Sequence, residues 1–238
     1  AKNLASLGDY FVNEAFAVSH RAEASVVGIT KFLPSYAGLG LEKEIKNLSR
    51  VMTKPKSPLI MIFGGAKSAD KLAVIKYFRK KAKYFLIGGA LANTLLYLKG
   101  TDIGTSLFEP DVNKMIKNLS NDKAIILPTD FRKQGSKILD IGPKSTSLFA
   151  KKIKEAKTIV WNGPLGLIER EAFRAGTIGI MKAIAMNKNA FSVVGGGETV
   201  MILKEKGFYD KISFVSTGGG AMLDFLAGKK LPGIEALK

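Results

Sequence analysis

The chain has 238 residues, 46% hydrophobic and 24% charged, which is the composition of an ordinary globular protein with one large or two modest domains. It has no cysteine and one histidine, His20, which excludes a disulfide framework, thiolate-held metals and most His-based metal centres and triads. The net charge is +17, carried by only six arginines and dispersed lysines without an aromatic-interleaved basic stripe, so solvated helix faces account for it better than a nucleic-acid partner.

The first fifty residues hold few elements. LGDYFVNEAF (7–16) reads as a strand with a polar exit. Residues 20–32 begin as a loop and continue as a short helix, which Pro34 interrupts. Residues 37–52 read as a long amphipathic helix with Leu39, Leu41, Ile45, Leu48 and Met52 on one side. One strand and one helix cannot bury a core alone. Residues 1–33 are therefore expected to be the last piece of another lobe or an accessory to the sheet formed by the rest of the chain.

From residue 58 onward short apolar runs end in Gly or a small polar residue. They are PLIMIFGG (58–65), KYFLIGG (83–89), KAIILPTD (123–130), KTIVWNG (157–163), FSVVGGG (191–197) and KISFVSTGGG (211–220). Each is too short for a buried helix and is rich in Ile, Val, Phe and Leu, as a strand buried on both faces should be. Helical patterns lie at 67–81, 89–98, 109–119, 145–155, 171–186, 197–206 and 220–227. This alternation predicts an α/β fold, an open, doubly wound, Rossmann-like parallel sheet of six strands with helices on both faces. No apolar run approaches a membrane span, and residues 1–16 lack a signal-peptide core. With the absent cysteine, this leads us to expect a cytoplasmic protein.

Ligands of such sheets bind beyond the carboxyl ends of the strands, and these ends are Gly-rich. Gly64-Gly65-Ala66-Lys67, Gly88-Gly89-Ala90, Asn162-Gly163-Pro164, Gly195-Gly196-Gly197 and Gly218-Gly219-Gly220 all fall there. Gly-rich entries to helices offer backbone N–H groups and a positive dipole end to phosphate. One Gly pair is only a tight turn; five loops on one edge point to phosphate or nucleotide. No P-loop motif, no G-x-G-x-x-G after a strand and no protein-kinase signature set occurs. Lys67 and Lys71, spaced i, i+4, fit one face of a helix that opens after the first of these strands, within reach of a polyphosphate. Two solvated lysines would show the same spacing, and the preceding Gly-Gly favours the phosphate reading. Glu198 can hold Mg²⁺ on a nucleotide, or be a carboxylate favoured at a helix N-terminus; spacing does not separate these. His20-Arg21 can bind a carboxylate or phosphate, although the residues alone favour a surface pair.

Taken together, these segments resemble phosphoglycerate kinase over residues 7–237. LGDYFVNEAF and SHRAEAS are similar to the family's GD-x-x-VNDAF and AHRAHAS. AGLGLEKEI, FGGAKSADK, IGGALANTLL, LDIGPKS, VWNGPLGLIE, VVGGGET, STGGGAMLDFLAG and LPGIEAL come after them in family order. The resemblance implies two doubly wound lobes, an amino-terminal one for 3-phosphoglycerate and a carboxy-terminal one for Mg-ADP or Mg-ATP. It implies glycolytic phosphoryl transfer between 1,3-bisphosphoglycerate and ADP, by a monomer without membrane or nucleic-acid partners. By resemblance, Lys67 contacts the transferring phosphoryl group and Lys71 the α-phosphate. Gly65, Gly89 and Leu165 line the nucleotide pocket, Asn162 lies near the phosphates and Glu169 binds the ribose. Gly197, Glu198 and Thr199 hold the metal-nucleotide, with Glu198 on Mg²⁺. Gly218, Gly219 and Gly220 begin the helix that faces the substrate, and His20 and Arg21 belong to the triose-phosphate side.

The implied division is a remnant of the amino-terminal lobe over 1–33, an interlobe helix over 34–54 and the nucleotide lobe over 55–238. Four departures stand out. Most of the amino-terminal lobe is missing. Glu198 replaces the family's usual Asp, and Glu23 replaces the second His of AHRAHAS. The 130–137 connection is short, so a peripheral hairpin is expected to be lost. Two functions are compatible with this pattern: a phosphoglycerate kinase whose isolated nucleotide lobe binds without turnover, or a non-catalytic nucleotide- or RNA-binding module derived from it.

Overall fold

A computed structural model describes residues 1–67, 69–110 and 114–237. A short helix α1 (Lys2–Ala5) leads to β1 (Phe11–Asn13), β2 (Ser35–Ala37) and helix α2 (Leu39–Thr53). Then come β3 (Leu59–Phe63), α3 (Ala69–Phe78), β4 (Tyr84–Ile87), α4 (Gly89–Leu98), α5 (Lys114–Ser120) and β5 (Ile125–Ile126). A hairpin of β6 (Phe131–Gln134) and β7 (Lys137–Ile141) precedes α6 (Pro143–Glu155) and β8 (Thr158–Asn162). The chain ends with α7 (Ala175–Met186), β9 (Phe191–Gly195), α8 (Gly197–Glu205), β10 (Phe214–Val215), α9 (Gly220–Leu226) and α10 (Pro232–Glu235).

Six parallel strands form one sheet in the order β10-β9-β8-β3-β4-β5. All five residues of β3 and of β8 are buried, as continuous apolar runs in a two-faced sheet require. Alternate side chains enter different cores. Leu59, Met61 and Phe63 pack with Leu41, Leu48 and Val51 of α2, and with α3, α4 and α9. Ile60 and Ile62 pack with Phe149 and Ile153 of α6, Ile180 and Ile184 of α7, and Ile202 of α8. Helices on both faces make the predicted doubly wound α/β fold.

The amino-terminal segment shares the first of these cores. Phe16 is buried and meets the Phe225 ring edge-on at 6.2 Å. Asn13 Nδ2 donates to the Gly233 carbonyl at 3.1 Å, and the Gly233 amide donates to Ser19 O at 2.9 Å. Glu14 accepts a hydrogen bond from the Leu41 amide at 3.1 Å, so a remote carboxylate caps the first turn of α2.

Several sequence expectations change. β2 has no counterpart among the predicted elements; it begins directly after Pro34 and pairs in parallel with β1. The short helix expected within residues 20–32 is a π-turn over 24–28 followed by a 3-10 turn over 29–31. Leu39 is 82% exposed and leaves the packed side of α2. Helix 67–81 is shorter, because Lys67 precedes α3; residue 68 lies outside the described residues. Of helix 109–119, residues 109 and 110 are not helical, residues 111–113 lie outside the described residues, and α5 covers 114–119. The hairpin expected to be lost is present. Gln134 pairs with Lys137 across the two-residue turn Gly135-Ser136, where Gly135 adopts φ 56°.

Glu44 fixes α2 to the loop ahead of α9. It is 4% exposed and accepts from Ser216 Oγ at 2.8 Å, the Thr217 amide at 2.6 Å and Thr217 Oγ1 at 2.8 Å. Removing the carboxylate leaves the buried Ser216 hydroxyl without its acceptor and frees both Thr217 donors to solvent. Glu44→Ala is expected to lower unfolding free energy by about 3 kcal/mol in urea titration, and Glu44→Gln by less.

Candidate functional site

The strand order reverses between β3 and β8, since β3 runs on to β4 on one side while β8 and β9 lie on the other. A crevice opens at such a switch point, outside the carboxyl ends of the strands. Here its floor is backbone against backbone. The Gly64 amide donates to Asn162 O at 3.2 Å, and the Gly65 amide donates to Pro164 O at 2.7 Å. The Ala90 amide donates to Gly65 O at 3.1 Å. A Cβ on Gly64 would overlap the Pro164 carbonyl, and one on Gly163 would overlap the Gly64 carbonyl. Gly89, at φ 60°, faces the Gly65 backbone just as closely. These amides are therefore used between loops. The expectation that all five Gly loops present N–H groups to a ligand is narrowed accordingly.

The donors that remain suited to an anion lie at α8. Its N-cap is Gly196, at φ 92°, with no side-chain cap. The first-turn amides of Gly197, Glu198 and Thr199 have no acceptor within the helix, by helix geometry. Thr199 is fully buried, and its Oγ1 has no hydrogen-bond partner.

Two cavities flank the floor. One, of about 380 Å³, is lined by Lys67, Lys71, Asn162, Gly196–Thr199 and the Gly219-Gly220 turn, among others. The other, of about 210 Å³, is apolar. Ala92, Leu107, Ile138 and Leu165 are among its walls, with Glu169 at its edge. Gly65, Ala66, Pro164 and Glu198 border both cavities, so the two meet at the floor.

Lys71 is 5% exposed, not a solvated surface lysine. Its ammonium turns back onto the Lys67 carbonyl, and Lys67 itself lies ahead of α3. The pair therefore does not share a helix face. Burial pushes the Lys71 pKa down to about 8, against the pull of Asp70, Glu109 and Glu198. Glu198 is exposed in the first turn of α8. Among the described residues no group of three or more His, Asp or Glu side chains can hold a metal ion.

His20 approaches the same edge. Its Nδ1 is buried without a partner, and a Cβ on Gly220 would lie 3.4 Å from its Nε2. Gly219 faces open space, whereas Gly218 is pressed against the Phe16 ring. Arg21 is exposed and outside both cavities.

Three features escape the sequence reading. The β6–β7 hairpin supplies Phe131, Ile138 and Asp140 to the apolar cavity. Thr177 Oγ1 accepts the Leu165 amide at 3.0 Å. Asn93 Nδ2 donates to Leu107 O at 2.8 Å and holds the outer wall. An Asp inside the apolar run KILDI was the available signal for Asp140.

Gly64→Ala forces Cβ into backbone that cannot retreat without parting β3 from β8. The variant is expected to lose about 3 kcal/mol of stability by chemical denaturation, while Gly197→Ala, which meets nothing within 4 Å, loses about 1 kcal/mol or less.

Known proteins share both the sequence and the fold. The family model for phosphoglycerate kinase matches residues 1–229. The chain is 44% identical to phosphoglycerate kinase of Acidobacterium capsulatum over all of its length and 65% of that relative. It is 42% identical to the enzyme of Dictyoglomus turgidum, again over its whole length and 66% of the relative. It thus spans less than two thirds of these proteins. Among solved structures, phosphoglycerate kinase from Pyrococcus horikoshii superposes with TM-score 0.88 at 35% identity, covering 99% of this chain and 65% of the other. The Coxiella burnetii structure gives 0.85 at 36% identity, covering 99% and 67%. The sequence motifs, the doubly wound sheet and these matches agree: the chain belongs to the phosphoglycerate kinase family.

Proposed function

We propose that the chain binds a magnesium nucleotide, ADP or ATP, across the switch point, as its part of phosphoryl transfer between 1,3-bisphosphoglycerate and ADP in glycolysis. The observation that carries this reading is the junction of an apolar cavity with a lysine-lined one through Gly65, Ala66, Pro164 and Glu198. A nucleotide has the same two-part character, an aromatic base joined to a polyanion. In this reading Gly65, Gly89 and Leu165 pack the base and Glu169 reaches the ribose. Lys67, Lys71, Asn162 and the first-turn amides of α8, from Gly197 to Thr199, take the phosphates. Lys67 accompanies the transferring group. Gly218, Gly219 and Gly220, with His20 and Arg21, form the triose-phosphate side.

Phosphoryl transfer asks for positioning and charge neutralisation rather than a protein nucleophile. The lysines and amides suit that demand. Magnesium is commonly held by one or two carboxylates together with nucleotide phosphates. The exposed Glu198 carboxylate, beside the unpartnered Thr199 hydroxyl, fits such a nucleotide-borne ion, which would neutralise phosphate charge when bound. Residues 1–33 act as the end of the triose-phosphate side, 34–54 as the linking helix and 55–238 as the nucleotide side. The same reading takes the chain to be a cytoplasmic monomer. No helix among the described residues is long and apolar enough to cross a membrane.

Calorimetry of the 238-residue chain is expected to register Mg-ADP binding, with negligible phosphoglycerate-dependent ATP consumption because these 238 residues hold only part of the triose-phosphate side. Robust turnover would overturn this division. In a chain carrying both lobes, Lys67→Ala is expected to lower kcat far more than it raises nucleotide KM, whereas Lys71→Ala weakens nucleotide binding roughly ten- to hundredfold.

The lowered Lys71 pKa sets a further expectation. Near pH 8 the free site is about half neutral at Lys71, and a bound phosphate favours the ammonium. Binding is therefore coupled to proton uptake, and affinity falls as pH rises above 8. Calorimetry in buffers of different ionisation enthalpy reads the uptake directly, and Lys71→Ala abolishes it.

A further inference from the structure

We propose that Asp140 is the positioning residue of the apolar cavity: its carboxylate ties the end of β7 to the start of α7 and so sets the 164–169 turn. The proposal rests on the nucleotide reading for its ligand, but not for the tie itself. Asp140 is 2% exposed and lines the cavity. Its Oδ2 accepts the Gly176 amide at 2.8 Å, and its Oδ1 accepts the Ile141 amide at 2.9 Å. A Cβ at Gly166 or at Gly176 would overlap this carboxylate, so two glycines, one in the turn and one in α7, give it room. The turn is also held by the Leu167 amide on Leu139 O at 2.7 Å and by the Leu165 amide on Thr177 Oγ1. Every one of these ties runs to β7 or to the first turn of α7.

A carboxylate suits the place because two donors from different elements converge on it, and each oxygen takes one. An Asn has a single acceptor oxygen and would turn its NH₂ toward one of the amides. Burial pushes the Asp140 pKa up to about 6, against the amides of Gly176 and Ile141 and the charge of Arg132 on β6. Glu169 and Glu198 line the same cavity. Arg174, just ahead of α7, bonds the Ile168 carbonyl and pairs with Glu205. A carboxyl whose folded pKa is raised contributes stability below the unfolded value, near 4, and that contribution is lost as pH rises through 6. At neutral pH the ionised group lowers stability, so stability alone gives no reason for it, and placement of the turn does.

The test compares the full chain with Asp140→Asn in Mg-ADP calorimetry at pH 8 and pH 5.5. The ratio of the two Kd values cancels the titration of the nucleotide and of Lys71. The variant is expected to bind roughly tenfold more weakly at pH 8, and the ratio to fall to about threefold at pH 5.5, where about three-quarters of the native carboxyl is protonated. The single tryptophan, Trp161, gives a nucleotide-free readout, since its Nε1 donates to Gly163 O at 2.7 Å beside the turn. Its emission should titrate near pH 6 in the native chain and stay flat in Asp140→Asn. Equal affinities at both pH values, or a loss that does not vary with pH, would overturn the proposal. If the native chain fails to bind Mg-ADP, the nucleotide reading falls and the Trp161 titration alone decides the tie. Should Asp140→Asn not fold, Thr177→Val removes the neighbouring tie. It is expected to weaken Mg-ADP binding several-fold, and native affinity would count against the proposal.

Discussion

The contact on which the site depends is the approach of the Gly64 backbone to the Pro164 carbonyl, at a separation that leaves no space for a side chain. β3 and β8 are neighbours in the sheet, so their exits must pass each other before diverging to opposite flanks. With glycine at 64 and 163 they pass in close contact, and the β3 exit donates two backbone hydrogen bonds to the β8 exit. With any larger residue the exits would be forced apart. The glycines at this point are thus required by neighbouring backbone. The first-turn amides of α8, which have no acceptor within the helix, take no part in that packing.

Burial acts on two ionisable groups here, and in opposite directions. It depresses Lys71 and raises Asp140. Both sit close to the pH range in which their charge changes, unlike solvated lysines and carboxylates. The chain's net charge of +17 has little bearing on this, because among the described residues the cavities are lined by only two of its many lysines, with Glu198 and Asp70 beside them. What tunes the site is the removal of water from a few side chains, which a composition does not record.

The parallel sheet was legible because strands buried on both faces leave continuous apolar runs. β3, β4, β8 and β9 fall within their predicted runs, and the Gly-rich ends fall at the crevice. The misses have physical causes. β2 has three residues after a proline, too few for a period to register. The hairpin strand FRKQ carries its exposed face in sequence and so reads as a polar connection. The i, i+4 spacing of Lys67 and Lys71 presumed a helix that starts two residues later. Glu44 was legible in principle. It stands with Leu41, Leu48 and Val51 on the buried stripe of α2, where an unpaired carboxylate is costly and a partner must exist. His20 reaches Gly220 only through tertiary packing, which no local pattern encodes.

The hairpin turn is asymmetric: Ser136 is packed against Gly104 and bonded to Thr105, whereas Gly135 meets nothing within 4 Å. One side of the tip is therefore held to the 104–105 turn and the other faces solvent. Growth of the chain at the Gly135 side would extend outward while Ile138 and Asp140 keep their register. The tip is a natural attachment point, where a grafted peptide or dye would project into solvent and leave both cores untouched.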